Sequence, residues 1–569
     1  MELKTFDFDQ SGCDLAGMTQ RGKNWPVVYL IHNKKEMYVG ETNSFQNRFR
    51  QHLDNHERTS LTTISFVDDE EFNKSAVLDI EQRLIRLCGA DQKFKLQNKN
   101  AGQSGMHDYY QREKYEKKIP EIWDELSKKG LTKHSYKSVQ NLNLFKYSPY
   151  TALTDEQNEV CYKVLKEILE ALENRKKSTS LIYGSAGTGK TIVAINIAFT
   201  LANIRMMNIG VEDDDSDKWN KLIRQWKEYV YKRGAELKIG FVVPMQSLNA
   251  TLSKVFKNVG GDELGKIVIS PYNVADEKYD LLIVDESHRL KRRRALSRDY
   301  NKFDESCAKL KVDKYTSNQL EWIIKQSSHC VLFRDPPQTI KPADIPCEEY
   351  DRIVDAVGHS DYEIKSQMRC LGGNDYLKYV ANIFSCSKDT QKIDSFTNYD
   401  IKVFDKIDEL IRSIKEKDKS MGLCRILAGF AWEWKTHFKS LKTITEEGLH
   451  DIEIEGRKFI WNTTDKNWIM SKNAINEIGC VHTTQGYDLN YVGLIFGNEI
   501  EWDEKRNEIK TYPQKFYDKK VKEGLSENPK KIEEFIINAY KVMLVRGIKG
   551  CYMYACNPSM KNFLKKWFG

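Results

Sequence analysis

Eight residues from Gly184 to Thr191 read GSAGTGKT, follow the apolar run Leu181-Ile182-Tyr183 and open the apolar stretch Ile192-Val193-Ala194-Ile195. A chain with this succession has to set a tight glycine-rich turn between a buried strand and a helix. The glycines let the backbone curl so that its N–H groups point inward at phosphates, Lys190 reaches the β and γ oxygens, and the Thr191 hydroxyl ligates magnesium. Gly184, Ser185, Ala186, Gly187, Thr188, Gly189, Lys190 and Thr191 are therefore the expected binding loop for ATP or GTP. A chance glycine-rich turn is the alternative, and the filled anchor positions with strand and helix context on both sides argue against it.

At 569 residues the chain is too long for a single core, and its length suggests about three or four domains. Hydrophobic residues make up 40% and charged residues 30%, a soluble, globular balance. No apolar run approaches the roughly 20 residues of a membrane helix. The start, MELKTFDFDQ, has neither a signal-peptide core nor an Arg-rich transit pattern, so a cytoplasmic location is expected. Twelve cysteines are scattered without a C-x-x-C pair, which argues against a zinc site or a disulfide framework. Net charge is 89 − 82 = +7, yet residues 505–569 alone carry 15 Lys and Arg against 6 Asp and Glu. That segment is either a docking surface for a polyanion or a solvated lysine-rich face.

Residues 20 to about 110 read as a small mixed α/β unit: strand-like runs Val27 to Ile31 and Met37 to Val39, then helical stretches after Glu41 and near Ala76 to Cys88. Residues 111–150 are polar and lysine-bearing and end in YSPY, the expected linker. Beyond it, apolar runs at Leu181 to Tyr183, Ile239 to Val243, Leu281 to Val284 and Cys330 to Phe333 alternate with helix-length amphipathic segments. That alternation predicts a parallel sheet with crossover helices. A second series, Arg425 to Ala428, Gly479 to His482, Val492 to Phe496 and Tyr552 to Tyr554, predicts another α/β domain after about residue 345. The expected domains are thus 1–110, a linker 111–150, 151–345 and 346–569.

LLIVDESH (281–288) puts Asp285 and Glu286 at the C-terminal end of a buried strand. There Asp285 can hold magnesium through water, and Glu286 can orient and deprotonate the attacking water. An apolar strand ending in DE is common by itself; about ninety residues after a phosphate loop it becomes specific.

From these residues onward the chain resembles a superfamily 1 helicase or translocase core over most of residues 150 to 569. LTDEQ (153–157) resembles the family's adenine-reading segment, which implies Gln157 at the base edge. VVPMQSLNATL (242–252) resembles the segment that touches the nucleic-acid backbone, and VHTTQGYDL (481–489) the contacting motif of the second domain. Asp335-Pro336-Pro337-Gln338 is similar to the D-x-x-Q coupling motif, although Arg334 stands where glycine is usual. SQMRC (366–370) and YKVMLVRGIKG (540–550) offer Arg369 and Arg546 as the arginines that reach the γ-phosphate. Arg546 sits in an apolar stretch, where an unpaired charge would be costly. More narrowly, DESHRL, RILAGFAWEW, HTTQGYDLNYVG and LVRGIKG together resemble a bacterial family of uncharacterised function related to the Schlafen helicase-like ATPase domain.

PVVYLIHNKKEMYVGET (26–42) pairs two strands bearing Tyr29 and Tyr38, and TNSFQNRFRQH comes next as a helix. This region, about 25 to 105, resembles the GIY-YIG endonuclease family, with a degenerate first motif in Val27-Val28-Tyr29 and a good second one in Tyr38-Val39-Gly40. The resemblance assigns Arg48 as the helix arginine, Glu81 in LDIEQRLI as the metal ligand, and Asn98, or Asn100, as the late asparagine. His52 lies one helical turn after Arg48 on the same face. Phosphodiester hydrolysis needs a divalent ion, here magnesium or manganese on Glu81, a cation such as Arg48 on the phosphate, and a phenol, Tyr29 or Tyr38, to move a proton.

The fold class implied is α/β: a small mixed GIY-YIG-like domain followed by two RecA-like parallel-sheet domains. The function implied is an ATP- and magnesium-dependent nucleic-acid motor fused to a metal-dependent endonuclease. DNA rather than RNA is the expected partner, in defence against foreign DNA or in repair, with no membrane involved. Two rivals stand beside it: a nucleotide-switched binding ATPase that does not translocate, and a Schlafen-like RNA-directed nuclease. Trp432 and Trp434 in GFAWEW are either base-stacking platforms or core residues, and KRRR (291–294) either grips phosphates or solubilises a loop, with phosphate contact favoured.

Overall fold

A computed structural model describes the chain except for residues 99–108, 152, 186, 206–217, 337–341, 368–369, 388–389, 438, 465–467, 485–486, 520 and 523–527. It divides into one unit of Met1–Glu173, Thr191–Leu237 and Thr251–Val268, and another of Asn174–Lys190, Lys238–Ala250 and Ile269–Gly569.

In the first unit, β1 (Glu2–Asp7), β2 (Val27–His32), β3 (Glu36–Thr42), β4 (Thr63–Asp68) and β5 (Lys95–Leu96) form a sheet in the order β1-β4-β2-β3-β5. Its neighbours are antiparallel except for β3 and β5. The unbroken apolar run of β2 reflects its central place, since Val27 through Ile31 are all buried. Strand alternation sends Val27, Tyr29 and Ile31 to one face. There they cluster with Cys13 of α1 (Gln10–Gly17) and with Phe45 and Phe49 of α2 (Phe45–Leu53). The valine in the glycine position of the first tyrosine motif keeps regular register, Val27 opposite Thr42. Helix α3 (Lys74–Asp91) packs against β2 and β3 and shares no residue with that cluster.

The stretch expected as a linker is instead folded onto this unit as α4 (Arg112–Lys128), α5 (Tyr136–Gln140) and α6 (Asn143–Lys146). Tyr115, Ile119, Ile122, Trp123 and Leu126 repeat at helical spacing and are all buried. Their apolar stripe is interleaved with lysines, which hid it in the composition. Ion pairs Arg83–Glu116 (2.6 Å) and Lys118–Asp69 (2.6 Å) and the Arg86 guanidinium 3.9 Å from the centre of the Phe145 ring hold the helices in place. Next come helices α7 (Asp155–Glu173), α8 (Lys190–Ala202) and α9 (Lys218–Arg233), with the Trp226 indole of α9 donating to Leu165 O of α7. α10 (Gln246–Lys266) is broken at Gly261.

The second unit holds two parallel sheets. β6 (Ser178–Gly184), β7 (Ile239–Val242), β8 (Val268–Ile269), β9 (Tyr279–Val284), β10 (Ser327–Arg334) and β11 (Ser360–Ile364) stand in the order β11-β6-β10-β9-β7-β8. The pairings of β10 with β6 and β9, of β11 with β6 and of β7 with β9 are all parallel. Helices α11 (Tyr300–Leu310), α12 (Gln319–Gln326) and α13 (Cys347–Val357) lie between β9 and β11 in the chain. After β12 (Asp400–Val403) and β13 (Cys424–Ala428) comes a hairpin, β14 (Ile452–Ile454) with β15 (Arg457–Phe459). β16 (Ile478–Gly479) and β17 (Leu489–Phe496) precede a second hairpin, β18 (Ile500–Asp503) with β19 (Glu508–Thr511), and β20 (Gly547–Ala555) closes the series. The second sheet runs β12-β20-β17-β13-β16, all parallel. Both sheets are RecA-like, and the small α/β domain precedes them as expected. Parallel strands need crossovers, which is why the apolar runs alternate with helices. Among the described residues no helix is long and apolar enough to cross a membrane, and all twelve cysteines are free thiols.

Candidate functional site

β6 and β10 are neighbours in the first sheet, and the loops leaving their C-terminal ends lie at the edge where open α/β sheets bind ligands. The loop after β6 depends on glycine: Gly187 and Gly189 have φ of 89° and 82°, which a side chain would strain. A Cβ on Gly184 would sit 2.5 Å from Thr188 Oγ1 and 3.1 Å from Ile364 O. Lys190 is 5% exposed, and its ammonium donates to Gly184 O (2.7 Å) and Ser185 O (2.9 Å) and lies 3.5 Å from Asp335 Oδ2. The cation is thus held inside the curl of its own loop. Thr191 is the second residue of α8, and Ala186 lies outside the described residues.

Asp285 is fully buried directly after β9, with Oδ1 accepting from Glu286 N (3.0 Å). Glu286 has a left-handed φ of 51°, a conformation that costs a side chain about 1–3 kcal/mol and is often found at functional sites. Burial by itself would raise the Glu286 pKa, but His288, Lys190 and Arg289 outweigh it and hold the carboxyl below its ordinary range. His288 Nε2 is 3.0 Å from Glu286 Oε2. On the other side of the ring, Asp335 N–H donates to His288 Nδ1 (3.3 Å). Arg334, in the place of a glycine, is 2% exposed, pairs with Asp351 and lies 4.0 Å from the centre of the Tyr350 ring. It ends β10 and packs against α13.

Gln338 and Arg369 lie outside the described residues, as do Gln485 and Gly486 of the HTTQG segment. Arg546 is 3% exposed, at the turn into β20, where its carbonyl accepts from Leu489 N. The Gln157 side-chain Oε1 accepts from Thr154 N (3.1 Å) while its main-chain N–H donates to Thr154 Oγ1 (3.2 Å). That reciprocal pair is a capping box at the start of α7, a reading the T-x-x-Q spacing also permits. In KRRR, Lys291 pairs with Asp299 (3.1 Å) and Arg293 bonds Asp304 through two nitrogens (2.6 and 2.9 Å), while Arg294 is exposed. Two of the four cations favoured for phosphate contact are thus engaged with carboxylates. Trp432 and Trp434 are partly buried against the core of the second sheet.

The nuclease residues converge from separate elements of the first unit. Tyr29 is opposite Gly40 in the β2–β3 ladder, and a Cβ on Gly40 would lie 2.4 Å from Tyr29 Oη, so the glycine of Tyr38-Val39-Gly40 is space for a phenol. Tyr29 Oη meets His52 Nε2 at 2.8 Å and accepts from Arg48 Nε at 3.3 Å. The Tyr38 ring lies 6.2 Å from Tyr29 and 5.2 Å from His52, centre to centre. Burial, with Arg48 and Arg58 nearby, pushes the His52 pKa down to about 3, so the ring is a neutral partner for the phenol. Burial, Tyr38 and Glu81 raise the Tyr29 pKa well above the ordinary phenol, against the opposing pull of Arg48.

Burial and the Glu41 carboxylate push the Glu81 pKa up to about 8, although Lys74, Arg48 and the Glu41 N–H favour its anion. A carboxyl this short of positive charge is suited to a divalent ion, with hard oxygen donors completing its shell. Magnesium or manganese on Glu81 therefore fits. Among the described residues no group of three His, Cys, Asp or Glu forms a ready-made cage. Asn98 contributes differently from a catalytic group: its Oδ1 accepts from Val39 N (3.0 Å) and its Nδ2 donates to Val39 O (2.8 Å), clamping β3. Asn100 lies outside the described residues. Three neighbours had no sequence signal: Glu41 with its partner Lys74 (2.5 Å), and Arg58, 4.0 Å from the centre of the Tyr38 ring.

Residues 177–557 match the family described as Schlafen group 3, DNA/RNA helicase domain, and residues 26–95 match the GIY-YIG catalytic domain. An uncharacterized protein of Saccharomyces cerevisiae is 23% identical over 444 residues, 72% of this chain and 90% of that protein. The likeness expected of a bacterial family thus extends to a yeast protein. Among solved structures, Bacteroides Pif1 bound to ssDNA is 12% identical over 73% of this chain and 94% of that one, with a TM-score of 0.25. AMPPCP-bound DnaA from Aquifex aeolicus is 18% identical over 42% of this chain, with a TM-score of 0.19, and the chain spans 55% of its length.

Proposed function

The chain belongs to the Schlafen group 3 DNA/RNA helicase family, and from that premise we propose an ATP-driven nucleic-acid translocase or helicase fused to a metal-dependent endonuclease. Lys190 carries the reading, held by loop carbonyls and Asp335 at the end of the first parallel sheet. In this reading Lys190 binds the triphosphate, Asp285 holds magnesium, Glu286 takes the proton of the attacking water, and Arg546 and Arg369 answer the γ-phosphate. Loss of that phosphate on hydrolysis releases what it held, which gives a cycle for stepping.

In the amino-terminal domain Glu81 holds the divalent ion, which supplies the charge that phosphodiester cleavage needs. Arg48 steadies the phosphate, and the Tyr29 phenol, hydrogen-bonded to neutral His52, moves a proton to or from water. The substrate is DNA, and the setting is defence against foreign DNA or repair, in the cytoplasm. These last assignments rest on analogy.

The test is one incubation of purified protein with single-stranded DNA, duplex DNA and RNA, with and without ATP and magnesium, scoring phosphate release and strand cleavage together. DNA-stimulated hydrolysis with strand displacement and metal-dependent cutting supports the proposal. Slow turnover without displacement, in which nucleotide only changes binding, replaces the motor with a switch. Preference for RNA in both assays replaces the substrate.

A further inference from the structure

We propose that Arg58 is a second phosphate-binding residue of the nuclease cleft, gripping a backbone phosphate of the nucleic-acid strand on the Tyr38 side. The inference rests on the nuclease reading and adds to it a contact at a position that no sequence motif marks.

Arg58 ends the single 3-10 turn His56–Arg58 that follows α2. Asn55 caps that turn by accepting from Glu57 N (2.9 Å). The Arg58 main chain is held on both sides, its N–H donating to Asn55 O (2.9 Å) and its carbonyl accepting from Leu61 N (3.0 Å). From this fixed backbone the side chain runs inward. The residue is 8% exposed, its guanidinium lies 4.0 Å from the centre of the Tyr38 ring, and Nη1 donates to Gln97 Oε1 (2.5 Å). Gln97 is anchored in turn, its main-chain N–H donating to Met37 O (2.8 Å) and its Nε2 to Glu36 Oε2 (3.1 Å). Stacking on one side and the amide on the other therefore fix the guanidinium in place.

An anion is what the group lacks. Nε is buried without a hydrogen-bond partner, and among the described residues no carboxylate pairs with Arg58, since Gln97 stands between it and Glu36. A guanidinium keeps its charge throughout the working pH range, so burying one without a counter-ion is costly. A phosphate supplies both the missing charge and oxygens spaced for a guanidinium fork. Arg48 is in the same condition: it donates to Gln51 Oε1 (2.8 Å) and Tyr29 Oη (3.3 Å) and pairs with no carboxylate among the described residues. Both arginines are close enough to His52 to help push its pKa down. Two cations without acids thus flank the paired phenols, an arrangement suited to a strand that brings phosphates to both.

Single-turnover nicking of plasmid with protein in excess reads the contact, because the half-saturating protein concentration reports DNA engaged productively in the cleft. Arg58→Gln should raise that concentration about tenfold and flatten its salt dependence by about 0.9 in log–log slope, the share of one duplex phosphate. Arg58→Lys keeps the charge while giving up the fork, and should keep the slope. Combining Gln97→Glu with Glu36→Gln leaves Arg58 and the net charge in place but sets a carboxylate against Nη1. That exchange should weaken engagement and flatten the salt dependence as Arg58→Gln does, whereas a packing role for Arg58 predicts that it is silent. A wild-type slope in Arg58→Gln, a flattened one in Arg58→Lys, or a silent exchange overturns the proposal. Wild-type protein that cuts neither DNA nor RNA would count against the nuclease reading itself. The slopes are then taken from binding of a fluorescent duplex oligonucleotide in EDTA, where an unchanged slope in Arg58→Gln overturns the contact and a flattened one keeps it.

Discussion

The phosphate loop and the nuclease cleft are built in opposite ways. The loop is eight consecutive residues whose shape comes from main-chain conformation, positive φ at Gly187 and Gly189, and a lysine folded back on its own carbonyls. The cleft draws Tyr29 and Tyr38 from two strands, Arg48 and His52 from α2, Glu81 from α3, and a clamp from Asn98 beyond β5. A site made of neighbours in sequence depends on its own few residues. One made of side chains from separate elements depends on how those elements pack, so the nuclease should be the more easily lost of the two.

The largest expected effects separate the sites completely. Lys190→Ala should take ATP hydrolysis to background while metal-dependent nicking of plasmid survives, and Glu81→Ala should abolish nicking while nucleic-acid-stimulated hydrolysis stays near wild type. Phosphate release and nicking measured on both variants decide it. Loss of both activities from either single substitution would make the two sites one machine. Glu286→Gln belongs with Lys190→Ala in stalling hydrolysis, but it should still bind nucleotide, because Asp285 and Lys190 are intact.

Next in size is Arg546→Ala, for which a fall of about 10³-fold in ATP turnover is expected with nucleotide binding little changed, at the lower end of arginine-finger effects. A change of only a few fold would hand that role to Arg369. Two arginines competing for one role mark the limit of what is legible in the sequence. The loop, the DE after β9 and the alternation of the parallel sheets could be read because each is encoded over a few consecutive residues. Tyr29, Tyr38, Arg48 and Glu81 were readable as an ordered set, while their actual neighbours Glu41, Lys74 and Arg58 were not, since nothing local announces a contact across 30 residues. Helix α4 was hidden because its apolar stripe is diluted by lysines. Gln157 carried two meanings in one spacing, base reader and helix cap, and sequence pattern cannot choose between them.

The cleft's dependence on packing can be probed without touching a chemical group. Gly40→Ala places a methyl 2.4 Å from Tyr29 Oη, so the phenol has to move by a sizeable fraction of an ångström away from His52 and Arg48. Misplacement on that scale costs about 10²-fold in rate, and cleavage should fall accordingly while ATP turnover is unchanged. Cleavage at the wild-type rate would mean that Tyr29 does not act through this geometry.

The smallest effect comes from the same reliance on a buried side chain. His52 stays neutral in the folded protein because its pKa is pushed down to about 3, whereas in the unfolded chain the ring takes up a proton near its ordinary 6.5. Between those values the unfolded state binds more protons, so stability rises with pH across the window. The contribution is complete above about pH 6.5 and drains away as pH falls toward 3. From pH 7 to pH 5 the loss should be about 2 kcal/mol in the opening free energy of the β2–β3 ladder. Hydrogen exchange of those amides in the full-length protein, corrected for intrinsic rates at each pH, measures it. In His52→Gln an amide can still meet Tyr29 Oη but cannot titrate, so the loss on acidification should shrink by most of that amount. His329, buried in β10 beside Ser180, has its pKa pushed down to about 3 by burial as well, and it supplies the control: its sheet should keep the same acid response in both proteins. An unchanged response of β2–β3 in His52→Gln would show that this imidazole is not what makes the nuclease domain sensitive to acid.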